Sequence, residues 1–355
     1  MLAIKKEAVA KKPRAVYTAR KRDFRTLHTA IWDGGAAVKR FNIGYLYIVL
    51  CATIFSFVEV ALKATAGMFH PMQITVLRFL IGGTVLLPVA LRVMRKRGAR
   101  FTASDAGFFA LLGFLFVCIA MTFYQLAVVY APAAVVAVLF SCNPIFITVL
   151  AGLLLREPIR ANHVAALCLE AAAVLLIVDP LHARLKPAGV LFALLSAALF
   201  ALYSVLGKKY TARFGGAAVT AFCSLFGGTE LLSLLLLGKT AVGASLFVSL
   251  DLPLYAGAPI LSGLTAATLP WLLYLGAINT GLGFVLHMLA MEKTSAQTAS
   301  LIFFLKPMLA PLFALAFLHE ELRLNMILGI LCFLLGSGAA ILPGLLAERR
   351  GRAAR

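Results

Sequence analysis

A run of 27 residues occurs twice in this chain, 163 positions apart. Residues 131–157 read APAAVVAVLFSCNPIFITVLAGLLLRE, and residues 294–320 read TSAQTASLIFFLKPMLAPLFALAFLHE. Ala133, Phe140, Pro144, Ala151, Leu155 and Glu157 return as Ala296, Phe303, Pro307, Ala314, Leu318 and Glu320. Each copy is apolar and long enough to cross a bilayer. Each has a central proline preceded by a polar residue, Asn143 in one copy and Lys306 in the other. Across the chain 62% of residues are hydrophobic and 13% charged. Soluble domains have about 25% charged residues, so this chain uses lipid as its solvent.

Ten apolar segments follow a basic tail over residues 1–42. They run about 43–63, 72–92, 106–129, 132–155, 160–178, 187–207, 216–237, 268–290, 295–318 and 324–344, and a second basic tail covers 345–355. Most reach the roughly 20 residues a spanning helix needs. Ala64-Thr65-Ala66 resembles a signal cleavage site, but the stretch before it exceeds a signal core, and the repeat needs it as a helix. The net charge is +19. With ten spans, 26 of the 33 lysines and arginines fall on the side of the N-terminus and five on the other. This bias places both termini in the cytoplasm and reads as topology and contact with acidic lipid, not nucleic-acid binding. Arg78 and Lys306 lie within apolar runs. The six cysteines also lie within such runs, at no metal-ligand spacing, and read as small apolar fillers.

The repeat extends beyond the 27 residues. At a shift of 145, Gly44, Ala52, Phe55, Val60 and Lys63 match Gly189, Ala197, Phe200, Val205 and Lys208, and Gly82-Gly83-Thr84 matches Gly227-Gly228-Thr229. At 163, Gly113 and Ala127 match Gly276 and Ala290. The change of shift puts an insertion within about 238–267, expected as a loop or surface helix. Two five-helix units result, 43–180 and 187–344. An odd number of helices threads the second unit through the membrane in the opposite sense, the arrangement of secondary transporters. Leu77–Pro88, Asn143–Glu157 and Phe303–Glu321, in a five-plus-five repeat over about 44–343, resemble the EamA branch of the drug/metabolite transporter superfamily. The resemblance implies an all-α inner-membrane protein that exports or exchanges small metabolites or drugs. It supplies no substrate.

A charge in the bilayer core costs roughly 2.5–3.5 kcal/mol on insertion scales, so each needs a reason. Glu59 and Arg78 stand at similar depth and are expected to pair and line the cavity. Lys306 sits near mid-depth beside Pro307, which removes a backbone donor and frees the carbonyl of Phe303. It is read as an anion contact; the plainer reading is a lysine that snorkels or pairs with Glu230 or Glu170. Asn143 and Pro144 form the equivalent point, and both prolines are expected to break their helices. Tyr124, Gln125, Asn279 and His287 are further candidates for solute contact, with His287 as a proton relay; each also reads as a helix–helix hydrogen bond. Glu157 and Glu320 are expected to hold the turns after their helices.

The expected function is alternating-access transport of amino acids or related amphipathic compounds, by efflux or exchange, driven by protons or downhill flow. No phosphate-binding loop is present, and no cofactor, metal or direct use of ATP is expected. The sequence assigns no oligomeric state. A lipid-carrier flippase of the same fold is the first rival, and an intramembrane enzyme, which would need clustered acids or histidines, the second.

Overall fold

Prolines and short polar caps set where the helices of this chain begin. The computed structural model describes residues 43–155, 161–178, 186–250 and 252–353. All ten apolar segments are helical. We number them α1 (Ile43–Ala64), α2 (Pro71–Arg97), α3 (Ala103–Tyr130), α4 (Ala133–Leu155), α5 (Ala161–Val178), α6 (Pro187–Phe214), α7 (Gly216–Leu237), α8 (Leu269–Lys293), α9 (Leu301–Leu318) and α10 (Leu324–Ala353). Among the described residues, all but α5 and α10 are long and apolar enough to cross a membrane. Pro71 and Pro187 occupy first-turn positions, where a missing N–H costs nothing. Thr102 and Asp105 cap α3 reciprocally.

Several helices outrun their expected ends. The structure carries α2 to Arg97, where Arg95, Lys96 and Arg97 fill the last turn and Gly98, at φ 64°, stops it. Cations there complement the helix dipole and stand where the apolar run has ended. For the same reason α6 continues past Lys208 to Phe214. The stretch expected as a C-terminal tail from 345 is helical through Ala353. The insertion holds a helix at Ala241–Ser249 and a 3-10 turn at Pro253–Tyr255.

The two repeats do not form separate domains; Ile43–Arg355 is one compact unit. Its packing follows one rule: each helix pairs across the repeat boundary, and its counterpart does the same. Thus α1 packs on α9 and α6 on α4, while α2 packs on α8 and α7 on α3. The second helices, α2 and α7, pack on each other, and so do the fifth, α5 and α10. Glycines mark the closest crossings. A Cβ on Gly82 would meet the carbonyl oxygen of Gly276 at 2.8 Å. One on Gly227, its repeat partner, would collide with the carbonyl of Gly113. Gly83 faces Leu225 just as Gly228 faces Leu80. Small residues of this kind let backbones approach where lipid supplies no hydrophobic drive.

Two features escaped the sequence. The middle of α3 (Phe114–Ala120) and of α8 (Tyr274–Gly283) is π-helical, at overlapping positions of the repeat. Such bulges recur at functional sites. The helix interruptions also differ from expectation. Pro307 lies inside the unbroken α9, which accommodates Pro311 as well; the break falls earlier, at Ser300, after the short turn Ala296–Ala299. In α4 the break is at Ser141-Cys142, just ahead of Pro144, which stands in the first turn of Asn143–Leu155. Membrane helices tolerate proline because neighbours satisfy the freed groups, and at a first turn it frees none.

Candidate functional site

The apolar face of α1 brings one carboxylate, Glu59, into the middle of the unit. It lies in the short segment Val58–Ala64 beyond the turn at Phe57. Its Oε1 forms an ion pair with Lys306 Nζ of α9, and both side chains are 1% exposed. Tyr124 of α3 completes the group: its hydroxyl donates to Glu59 Oε1 at 2.6 Å and accepts from Lys306 at 3.5 Å. The lysine also lies 4.8 Å from the Phe140 ring centre. Opposite charge, a hydroxyl and an aromatic face together offset a desolvation cost of several kcal/mol per ion.

Arg78 is equally buried but does not form the expected bridge to Glu59; Lys306 takes that place. The reason is packing. The α1 segment that carries Glu59 lies against α9, and equal depth did not make Arg78 its partner. Arg78 stacks 5.0 Å from the ring centre of Phe79, while its Nε and Nη2 lack hydrogen-bond partners. It lines a small cavity between the helices. Tyr124, Asn279 and Lys306 form the rest of the polar lining. Apolar groups make the other walls: Phe55, Val58, Met121, Phe140, Phe200 and Phe284. The sequence offered no means of choosing these rings among 26 phenylalanines. The repeat register did carry a hint, since Phe55 is the counterpart of Phe200 and Met121 that of Phe284.

The same register exposes an asymmetry. Glu59, Tyr124 and Lys306 correspond to Ser204, His287 and Asn143. Ser204 and His287 also touch, Oγ to Nε2 at 3.1 Å, repeating the Glu59–Tyr124 contact. One half of the pseudo-symmetric centre therefore holds an ion pair and the other a serine–histidine contact.

The remaining expected residues fall elsewhere. Asn143 donates to the Ala197 carbonyl at 2.6 Å and ties α4 to α6. Gln125 is buried with Oε1 unpaired, and neither it, Asn143 nor His287 is among the residues lining the cavity. Rings of Phe55, Phe200 and Phe303 surround the His287 imidazole. Glu320 accepts from the N–H groups of Ala133 (2.9 Å) and Ala134 (3.1 Å), so it caps α4 of the other repeat. Glu157 lies outside the described residues, as does the side chain of Glu170. Glu230, on α7, has Oε2 unpaired and does not meet Lys306.

Polar ties join helix ends on both sides of the cavity. Lys63 donates to the carbonyls of Val128 (3.0 Å) and Ala131 (3.2 Å), on the same side as Glu320. At the opposite ends, Arg97 pairs with Glu292 and donates to the Thr211 carbonyl at 2.9 Å. Glu292 also accepts from Gly216 N–H at 2.9 Å. Arg213 pairs with Asp105 at 2.7 Å.

Comparison with known proteins agrees with this architecture. The profile of the EamA-like transporter family matches residues 42–179 and again 187–341. An uncharacterized transporter from Clostridium kluyveri is 32% identical over 302 residues, covering 83% of this chain and 91% of its own. One from Archaeoglobus fulgidus is 24% identical over 292 residues, covering 82% and 96%. A solved crystal structure with 21% identity superposes with a TM-score of 0.58, over 84% of this chain and 97% of its own, and shares the fold. With its profile matched twice in succession, the chain belongs to the EamA-like transporter family.

Proposed function

We propose that this protein is a ten-span secondary transporter that moves small amphipathic metabolites across the cytoplasmic membrane, by efflux or exchange, with both termini in the cytoplasm. One observation carries the reading: a cavity between the two repeats, lined by Arg78, Lys306 and Tyr124 and walled by aromatic rings. Intramembrane charges that face a cavity mark solute pathways, and transporters bind solutes where inverted repeats meet. The exchange of partners between counterpart helices supports an inverted pair of repeats, each supplying half of the centre. The ties at both sets of helix ends suit a protein that loosens one side at a time. Protons or downhill flow would drive the cycle.

The test is a thermal-shift screen of purified protein against amino acids, organic acids, sugar phosphates and cationic drugs. A ligand that binds the folded and not the unfolded protein raises the melting temperature. The shift is expected to vanish in Lys306→Ala while that variant stays monodisperse. A ligand that shifts both proteins equally would contradict the site.

A further inference from the structure

The cavity has a sign. Glu59 and Lys306 cancel as a bonded pair, and Glu59 is not among the lining residues. Tyr124 spends its proton on Glu59. What remains facing the space is the Arg78 guanidinium, 1% exposed, with Nε and Nη2 bonded to nothing. Arginine stays protonated in proteins, so this is a fixed positive charge with unused donors in a fork that matches a carboxylate. Leaving it uncompensated is costly at this depth. The other polar lining group left unmet is the Oδ1 of Asn279, an acceptor that suits a neutral donor such as a hydroxyl. The rest of the wall is apolar, and at the counterpart positions of Glu59 and Lys306 stand the uncharged Ser204 and Asn143.

We infer that the transported solute is a monoanion: one carboxylate seated on Arg78, a hydroxyl near Asn279, and an apolar body against the phenylalanines. The inference rests on the cavity being the solute site, as proposed above, and narrows it by charge. A zwitterion would bring no net charge to offset the arginine. A cation would add to it.

Three probes with the same phenyl body separate these cases: 3-phenyllactate (anion), its isostere phenylalanine (zwitterion), and 2-phenylethylamine (cation, without the carboxylate). Binding is measured by isothermal titration on the full chain in detergent at pH 7.5. Phenyllactate is expected to bind at least about tenfold more tightly than phenylalanine, a difference of ~1.4 kcal/mol, with no binding by the amine. Arg78→Lys keeps the charge but loses the fork, and is expected to weaken phenyllactate about tenfold or more. Asn279→Asp puts a competing carboxylate in the same cavity and should weaken it further, in a variant that leaves Arg78 intact. Equal or tighter binding of phenylalanine would overturn the monoanion and leave the site standing, with Asn279 Oδ1 as the lining acceptor open to the ammonium. Failure of phenyllactate to bind the wild type, or binding unmoved by both variants, would also overturn it. The transport reading fails separately, if every ligand found in the wider screen ignores Lys306→Ala.

Discussion

At the scale of single residues, the Glu59–Lys306 pair offers the sharpest energetic test. Replacing one member strands a buried charge, which costs about 3–5 kcal/mol, whereas replacing both removes the desolvation cost as well. Lys306→Met is therefore expected to lower unfolding stability by about that amount, and Glu59→Gln with Lys306→Met to recover most of it. Chemical denaturation in micelles checks this; a double variant as unstable as the single would show that the ions do not act as a pair. His70 makes a second test outside the spans. It caps α2, its Nδ1 accepting from the Met72 N–H at 3.3 Å, and burial holds its pKa below the ordinary 6.5. A depressed histidine pKa means the unfolded chain takes up protons first, so this contribution is whole above pH 6.5 and declines as pH falls below it. His70→Asn, a cap that does not titrate, is expected to flatten that part of the stability profile; an unchanged slope would acquit the histidine. The unusual residues themselves were visible in the sequence, because charge in an apolar run stands out. Their partners were not. Depth along a helix can be counted, but which neighbour faces Glu59 depends on how α1 packs against α9, whose Lys306 lies 247 positions away in the chain (306 − 59).

At the scale of helices, the glycine crossings decide how closely the repeats interleave. Gly227→Val would drive its side chain into the Gly113 backbone. Overpacking of this kind costs roughly 1–3 kcal/mol. Gly107→Ala in α3 meets nothing within 4 Å and is expected to be neutral or to stabilise by up to about 1 kcal/mol, as alanine favours helix. Thermal unfolding of the two variants side by side tests this, and equal stabilities would remove the crossing from the account of the fold. Helix existence was legible because length and hydropathy fix it. Helix ends were less so: Arg95 to Arg97 look like loop by composition, yet they extend α2 by complementing its dipole. The π-helical middles of α3 and α8 have no sequence signature, since any apolar run accommodates them. Proline misled in the other direction, as α9 runs straight through Pro307.

At the scale of the whole molecule, the repeat was legible and its consequence was not. Matching Gly82 with Gly227 is sequence arithmetic; finding that each packs against the third helix of the other repeat took coordinates. That interleaving surrounds the cavity with helices from both halves, so a movement of one half against the other would change which end of the cavity is open. Loosening one set of ties should bias the movement. Arg97→Ala removes the pair with Glu292 and the bond to Thr211, and should favour opening at that end. The most direct measurement places a single cysteine at Asn279, in a chain whose six native cysteines are replaced by alanine, and follows its reaction with a membrane-impermeant maleimide from each face of oriented vesicles. Labelling from both faces is expected, with the Arg97→Ala background faster from the face where α2 ends. Labelling from one face only, whatever the background, would contradict a cavity that opens to each side in turn.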